Sequence, residues 1–307
     1  MKIRILPAAF LIVMMSSFLP RASALVLWNL DNNANQTDPG GGLPWDTVAR
    51  IAGPSLSLSS TTGSAIHLGG GYMLTANHVT LTANQTITFD GVTSFAVDMT
   101  FNGGNGSQQV ASGVDMKVFK LTSIPLVGAA TLASSQNLNS SATVVGYGVG
   151  RGTAALGNST VDWGNTTTLD TVAKRWGVNV PRQLTVVSGY QALVSVAGAS
   201  SGFPAGLGNS EAGLTLMDSG SAMFQNISGN WRLVGVGATV SQQAGANTTT
   251  FGNDWMFNPS GDQNAHVSVS SYRTQILGII PEPAPAGLLL GAAGFGVFLF
   301  FRRSRPA

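Results

Sequence analysis

Three short segments carry residues that could act together as a base, a carboxylate and a nucleophile. His78 ends the apolar run Leu74-Thr75-Ala76-Asn77-His78, Asp115 begins an alternating stretch, and Ser219 lies in a turn of small residues. Taken singly, each has an ordinary structural explanation. A serine hydroxyl becomes a useful nucleophile when an imidazole takes its proton, and the imidazole needs a carboxylate to fix its tautomer. Together these residue types predict acyl-transfer chemistry.

A second carboxylate competes with Asp115 for the place beside the imidazole. The string Val97-Asp98-Met99 repeats the local pattern of Val114-Asp115-Met116. It lacks the Lys-x-x-Lys-Leu pattern that follows Met116. We therefore expect Asp115 to be the carboxylate and keep Asp98 as the alternative.

The order of these residues and their local strings resemble those of the chymotrypsin/trypsin-like serine proteases. Leu74 to His78 resembles that family's Leu-Thr-Ala-Ala-His, and Asp115 to Leu121 resembles its Asp-Ile-Ala-Leu-Leu-Lys-Leu. Asp218 to Ser221 resembles its Gly-Asp-Ser-Gly-Gly without the first glycine, and Val144 to Gly148 is similar to the strand that opens its second barrel. The resemblance covers roughly residues 45–280. It implies two six-stranded antiparallel barrels with an active site between them.

The resemblance also assigns a role to each site residue. It makes His78 the general base, Asp115 its orienting partner and Ser219 the nucleophile of a serine endopeptidase that needs no cofactor. The backbone N–H groups of Met217 and Ser219 would form the oxyanion hole. Met217 stands where the family has glycine, and a Cβ disfavours the left-handed backbone that glycine adopts freely. This departure keeps open a second reading, a catalytically inactive protease-like domain that binds a surface or matrix partner.

The segment Arg50-Ile51-Ala52-Gly53 is similar to the activation site of trypsin-like zymogens. Only 27 positions separate Ile51 from His78, which is too few for the strands that normally intervene. We therefore expect the first strand at 47–51 and no activating cleavage there. Asp218 then needs a partner other than a new amino terminus at Ile51, and the sequence does not identify it.

Substrate preference has little support in the sequence. Gly213 occupies the position six residues before Ser219 where a trypsin-type pocket has aspartate, so a preference for Lys or Arg is not predicted. The run Val234 to Thr239 is expected to flank the pocket and to offer a strand edge to a peptide. The expected partner is thus a protein or peptide substrate.

The sequence predicts that strands carry the three residues. Short β-branched or apolar runs recur from Ser64 to Ala238 between clusters of Gly, Asn, Ser and Thr, a pattern typical of sandwiches and barrels. The stretch Val267 to Ile280 differs, since its apolar residues have helical spacing behind Ser270 as an N-cap. The sequence therefore predicts an all-β fold with a short C-terminal helix.

We place the domain boundaries by composition. A flexible arm rich in Asn, Asp and Gly is predicted at 25–41, and the trypsin-like domain at 42–280. Within that domain the barrels are expected at about 42–133 and 142–265, and the helix at about 268–279.

The amino-terminal residues 1–24 have the pattern of a secretory signal peptide. Lys2 and Arg4 precede an apolar core, and Ala22-Ser23-Ala24 forms a small-residue cleavage site before Leu25. The chain is therefore expected to be exported.

The carboxyl-terminal residues 281–307 have the pattern of a second targeting signal. Pro281-Glu282-Pro283, an apolar run of about 18 residues and the cluster Arg302-Arg303-x-Arg305 resemble the PEP-CTERM sorting signal of Gram-negative bacteria, which exosortases process. The resemblance implies a transient anchor in the inner membrane, with the domain facing the periplasm. Delivery to the cell surface or matrix would follow. A plain stop-transfer anchor is the alternative.

Charge and cysteine content exclude several function classes. Between residues 25 and 281 the chain has nine basic and twelve acidic residues, so no basic surplus is available for nucleic acid. The chain has no cysteine, which excludes disulfides and thiolate metal sites. His67, His78 and His266 share no spacing typical of metal ligands, and no metal or cofactor is expected.

Overall fold

The computed structural model describes residues 25–27, 30–31, 33–53, 62–148, 150, 172–196, 207–215, 217–241 and 263–280. Their strands are β1 (Val26–Leu27), β2 (Val48–Ala52), β3 (Gly63–Gly69), β4 (Tyr72–Thr75), β5 (Thr86–Thr88), β6 (Ser94–Ala96), β7 (Ser107–Gln109), β8 (Lys117–Lys120), β9 (Ala142–Gly146), β10 (Arg175–Asn179), β11 (Pro181–Val187), β12 (Tyr190–Val196), β13 (Ala212–Gly213), β14 (Ala222–Ile227), β15 (Asn230–Ser241) and β16 (Gln263–Ser268). The helices are a 3-10 turn (Trp45–Thr47), the short α1 (Phe101–Gly104) and α2 (Val269–Ile279).

The first sheet closes on itself. Its order is β6-β5-β2-β3-β4-β8-β7, and all of its pairings are antiparallel. An antiparallel bridge between Val97 and Leu121 then joins the end of β6 to the end of β8. Two flanking backbone hydrogen bonds extend this contact, from Asp98 N to Lys120 O at 2.8 Å and from Thr122 N to Ala96 O at 3.0 Å. Six strands therefore form a ring, and β7 lies beside it.

The second sheet closes through one bent segment. Its order is β10-β9-β14-β15-β16-β12-β11, and only Val180 separates β10 from β11. The first half of this segment pairs with β9 and the second half pairs with β12. The result is a second six-stranded ring. The predicted all-β class with two six-stranded antiparallel barrels is confirmed.

Three apolar clusters hold the barrels together. One lies within the first barrel and includes Ile51, Met73 and Phe119, and another lies within the second and includes Leu193 and Val234. The third joins residues of both barrels, among them Ile66, Leu74, Val118, Val145 and Phe224. Strands at the junction are buried on both faces because one face fills a barrel and the other packs against its neighbour.

The residues after position 24 differ from the predicted flexible arm. Leu25 and Leu27 are 1% and 2% exposed and belong to the cluster inside the second barrel. The strand β1 pairs with β13, and the indole Nε1 of Trp231 donates to Gly41 O at 2.8 Å. The two leucines are buried because they have an apolar core to enter, which composition does not reveal.

Helix α2 confirms the predicted C-terminal helix. Its N-cap lies two residues earlier than expected. Ser268, not Ser270, is the N-cap residue, and its Oγ accepts the N–H of Ser271 at 3.3 Å. Ile276 faces the core and is fully buried. None of the helices in the described ranges is long and apolar enough to cross a membrane. The predicted signal peptide and the sorting segment lie outside the described residues.

Candidate active site

His78 is carried by a turn at the end of β4. The residues on either side of the turn, Ala76 and Val79, are fully buried, while the His78 side chain is 46% exposed. The N–H of Val79 donates to Ala76 O at 3.3 Å, and the buried ammonium of Lys117 donates to Val79 O. The turn is thus held by contacts on its buried side, while the imidazole faces solvent.

Asp115 lies two residues before the start of β8 and contacts His78 twice. Its Oδ1 accepts the backbone N–H of His78 at 2.9 Å, and its Oδ2 lies 2.8 Å from the ring Nδ1. A carboxylate can only accept, so Nδ1 carries the proton of the neutral ring. The pair therefore fixes both the tautomer and the orientation of the imidazole.

Ser219 comes from the second barrel and completes the chain of contacts. Its Oγ lies 2.7 Å from His78 Nε2, the nitrogen that the Asp115 contact leaves as an acceptor. The hydroxyl can therefore donate its proton to the imidazole. The structure brings together the three residues singled out in the sequence, at the junction of the two barrels.

The alternative carboxylate is engaged elsewhere. Asp98 Oδ1 accepts the N–H of Thr100 at 3.0 Å and its hydroxyl at 2.6 Å. These contacts lower the pKa of Asp98, with the Thr100 hydroxyl as the largest cause. Asp98 thus closes a local turn, while Asp115 holds the imidazole.

The loop that carries Ser219 is fixed by backbone contacts on both sides. Ser219 O accepts the N–H of Ser64 in β3 at 2.8 Å, and the N–H of Gly220 donates to Gly237 O at 2.7 Å. Gly220 has a φ of +84°, and a Cβ there would overlap Ser64 O and Thr75 Oγ1. Only glycine fits this position, because the backbone is left-handed and the two barrels meet at it.

Met217 adopts the left-handed backbone that its side chain disfavours. Its φ is +72°, and its side chain is 7% exposed within the apolar cluster between the barrels. Among the described residues, no acceptor receives the N–H of Met217 or of Ser219. The burial of the methionine side chain compensates for the backbone strain.

Asp218, between these two donors, is buried and only partly satisfied. Its Oδ2 accepts the N–H and the hydroxyl of Thr215 at 2.8 and 2.9 Å, whereas its Oδ1 has no hydrogen-bond partner in the described part of the chain. Burial raises the pKa of Asp218 to about 7, against the opposing effects of Thr215, the Arg175 guanidinium and the Leu25 N–H. The sequence had left the partner of Asp218 open, and the hydrogen bonds to its carboxylate come from Thr215.

Among the described residues, the last part of β15 pairs with a strand on one side only. Val236 pairs with Ala222 on one side and with Val267 on the other. Beyond Gly237 the described pairing is with β16 alone. The other side lies next to the nucleophile loop, since Gly237 O accepts the N–H of Gly220. The sequence placed this edge at Val234 to Thr239, and the structure moves it to Ala238–Ser241.

The other two histidines make no hydrogen bond to His78, Asp115 or Ser219. His67 Nδ1 donates to Gly128 O at 2.8 Å, and His266 is fully buried without a hydrogen bond to any described residue. Within the described ranges, no group of three or more His, Asp or Glu side chains is arranged to hold a metal ion.

Of the comparisons with known proteins, only the one with solved structures finds matches. No family model and no curated protein matches the chain. The inactive form of the Rv3671c protease has 14% identity and a TM-score of 0.45, over 78% of this chain and 91% of that one. A mutant of Rv3671c from M. tuberculosis H37Rv has 14% identity and a TM-score of 0.43, over 77% and 87%. The HtrA-type protease AlgW with a tripeptide has 15% identity and a TM-score of 0.43, over 78% and 61%. None of these values supports an argument about function.

Proposed function

We propose that the chain is a serine endopeptidase. One observation carries this proposal: His78 lies with Nδ1 2.8 Å from Asp115 Oδ2 and with Nε2 2.7 Å from Ser219 Oγ. This is the geometry that lets an imidazole take the hydroxyl proton while a carboxylate stabilises the charged ring. An isolated structural histidine needs neither contact.

The reaction runs through an acyl-enzyme. Ser219 Oγ attacks the scissile carbonyl as its proton passes to His78 Nε2, and the carbonyl oxygen becomes negative. The N–H groups of Met217 and Ser219 receive that oxygen, and each such donor contributes roughly 3–4 kcal/mol to the transition state. His78 then gives its proton to the leaving amine. Water then attacks the acyl ester by the same route, with His78 as the base, and hydrolysis releases Ser219.

A peptide is the substrate class that fits the strand edge. The segment Ala238–Ser241 follows Gly237, whose carbonyl holds Gly220 of the nucleophile loop at 2.7 Å. An extended peptide that pairs with this segment is held beside Ser219 Oγ in one register. This position favours hydrolysis inside a polypeptide over hydrolysis of a small ester.

Cleavage of a peptide library tests the proposal. The chain is incubated with a proteome-derived peptide mixture, and new termini are identified by mass spectrometry. We expect internal cuts with wild type and none with Ser219→Ala. Absence of cuts by the folded wild type would favour the second candidate, an inactive protease-like domain that binds a surface or matrix partner, because Met217 stands where the family has glycine.

We propose further that the protease is exported and sorted. Residues 1–24 would be removed during export, and residues 281–307 would anchor the chain in the inner membrane until an exosortase-type enzyme processes it. Protein recovered from the native cell surface should then lack Phe295 to Ala307 by mass spectrometry. Replacing Pro281-Glu282-Pro283 with alanines should leave full-length protein in the inner membrane. Intact tails on surface protein would indicate a plain anchor.

A further inference from the structure

An interior polar cluster in the second barrel consists of Ser195, Asn264 and His266. Ser195 in β12 pairs directly with Asn264 in β16, and His266 follows two residues later on the same face of β16. The three residues are 0%, 2% and 1% exposed. Among the described residues, Ser195 Oγ, Asn264 Nδ2 and both ring nitrogens of His266 have no hydrogen-bond partner. Four buried polar atoms on one face are thus left to pair with something else.

The interior polar cluster faces the inside of the barrel. Leu193, which pairs with His266 and precedes Ser195 by two residues, belongs to the apolar cluster within the second barrel. On the other side of β16, Gly237 pairs with His266, and a Cβ at Gly235 would lie 2.8 Å from the His266 Cβ. Because both are glycines, β15 offers the ring no side chain to pair with. Buried polar atoms without partners cost free energy, so a group that pairs with them gains affinity.

Two contacts connect the interior polar cluster to the nucleophile loop. The N–H of Leu214 donates to Asn264 Oδ1 at 2.8 Å, and the segment after Leu214 leads to Ser219. Gly237, which pairs with His266, accepts the N–H of the residue after Ser219 at 2.7 Å. The cluster therefore lies behind the nucleophile, where the loop and β15 meet.

We propose that the interior polar cluster is the inner end of a pocket that binds a glutamine side chain immediately before the scissile bond. The inference rests on the proposed function. A peptide that pairs with Ala238–Ser241 and offers its carbonyl to Ser219 Oγ directs this side chain between the nucleophile loop and β15. The three polar residues then determine which peptide bonds are cut.

The cluster selects an uncharged side chain. Burial lowers the pKa of His266 to about 3, so its ring is neutral near pH 7. The Asp218 carboxylate lies toward Gly146, where a Cβ would be 2.6 Å from its Oδ1. No charged group of the described residues is hydrogen-bonded to the cluster. A carboxylate or an ammonium bound there would be buried without a counter-charge, at a high cost in free energy.

A primary amide matches the atoms that the cluster offers. Asn264 Nδ2 donates, the neutral His266 ring has one donor and one acceptor, and the Ser195 hydroxyl can do either. The amide oxygen accepts and the amide nitrogen donates two hydrogens, so one amide can pair with all three side chains. Glutamine is favoured over asparagine because the cluster is deeply buried and needs the longer side chain. An apolar side chain leaves the same atoms unpaired, and a site of this kind discriminates strongly against it.

Peptides that differ in one residue test the inference. The full chain in detergent is given internally quenched, alanine-based peptides with a single Gln, Glu, Asn or Met, and kcat/KM is measured for cleavage after that residue. Methionine has a similar length without the amide, and glutamate adds a charge. We expect kcat/KM for the glutamine peptide to be at least tenfold higher than for each of the others. Equal values for glutamine and methionine, or a preference for another of these peptides, would overturn the inference.

Substitution of the histidine locates the preference. In His266→Leu the ratio of kcat/KM between the glutamine and methionine peptides should fall to about one, because the donor and the acceptor of the ring are lost. The matched control is His67→Leu in the first barrel, where Nδ1 donates to Gly128 O. This control should keep the wild-type ratio. A wild-type ratio in folded His266→Leu would contradict the assignment.

A failure of the proposed function gives a different pattern. If no peptide is cut, or if His266→Leu does not fold, binding to Ser219→Ala decides the inference. The imidazole nitrogens of isotope-labelled His266 are followed by NMR while the glutamine or the methionine peptide is added. A larger shift with the glutamine peptide would support the pocket. Unchanged signals, or a shift at least as large with the methionine peptide, would overturn it.

Discussion

At the level of single residues, each member of the site supplies a contact that its neighbour needs for the reaction. Ser219 Oγ needs an acceptor for its proton, and His78 Nε2 lies at 2.7 Å. The imidazole needs a fixed tautomer, and Asp115 supplies it through two contacts with the same residue. The Asp115 side chain is 19% exposed against 46% for His78. The carboxylate is thus the more sheltered of the pair, which strengthens its attraction for the imidazolium.

Met217 gives the first prediction at this scale. Its N–H has no acceptor among the described residues and its backbone is already left-handed, so Met217→Gly should leave kcat/KM within about threefold of wild type. Glycine relieves roughly 1 kcal/mol of backbone strain, but loss of the buried side chain costs about 2–5 kcal/mol. We therefore expect a lower melting temperature with nearly unchanged steady-state kinetics. A gain in kcat/KM of tenfold or more would mean that the wild-type N–H is misdirected.

At the element scale, the turn after β4 depends on a buried lysine in β8. Lys117 is 6% exposed, and its ammonium donates to Val79 O under the turn that carries His78. Burial lowers its pKa, and the charge of Asp115 opposes that shift. The contact ties the position of His78 to the strand that follows Asp115. The two residues are thereby held in register.

Removal of this lysine gives the second prediction. Lys117→Met keeps the length of the side chain but loses the donor, so kcat should fall about tenfold or more with little change in KM. Lys117→Arg should recover part of the loss, since it restores a donor. The matched control is Lys120→Met on the same strand, where the cation lies over the Tyr72 ring. Equal kcat in both methionine variants would contradict a positioning role.

The sequence predicts some elements better than others for physical reasons. Alternating apolar residues predict strands such as β8, because the two faces of that strand pack against different apolar clusters. The burial of Leu25 could not be predicted, because the apolar cluster around it is formed by strands far along the chain. The N-cap was misplaced by two residues, since Ser268 and Ser270 are equally suitable by type. His78, Asp115 and Ser219 were found because their local strings are specific, whereas the burial of Asp218 depends on packing.

At the scale of the whole molecule, the site exists only while the barrels stay together. Ser64 in the first barrel joins them, since its N–H donates to Ser219 O at 2.8 Å and its Oγ accepts the Tyr147 N–H at 2.9 Å. His78 and Asp115 belong to the first barrel and Ser219 to the second. A small shift between barrels would therefore separate the nucleophile from its base.

Acid sensitivity of the second barrel is the third prediction. His266 is fully buried, and burial lowers its pKa to about 3. Because the unfolded chain takes up a proton near pH 6.5 and the folded chain does not, stability is lost as pH falls. Between pH 7 and 5 this residue should cost about 2 kcal/mol of unfolding free energy. Urea titrations should show that His266→Leu loses less stability over this range than wild type does, and equal losses would contradict the assignment.

Covalent labelling shows directly whether Ser219 is an activated nucleophile. Wild type treated with a fluorophosphonate should gain one adduct per chain, mapped to Ser219, because only an activated serine attacks this reagent at a useful rate. Ser219→Ala and His78→Ala should remove the adduct without altering circular dichroism. Ser221→Ala, a fully buried serine in the same loop, should retain it. A folded wild type that gains no adduct, or gains it at another residue, would contradict the account.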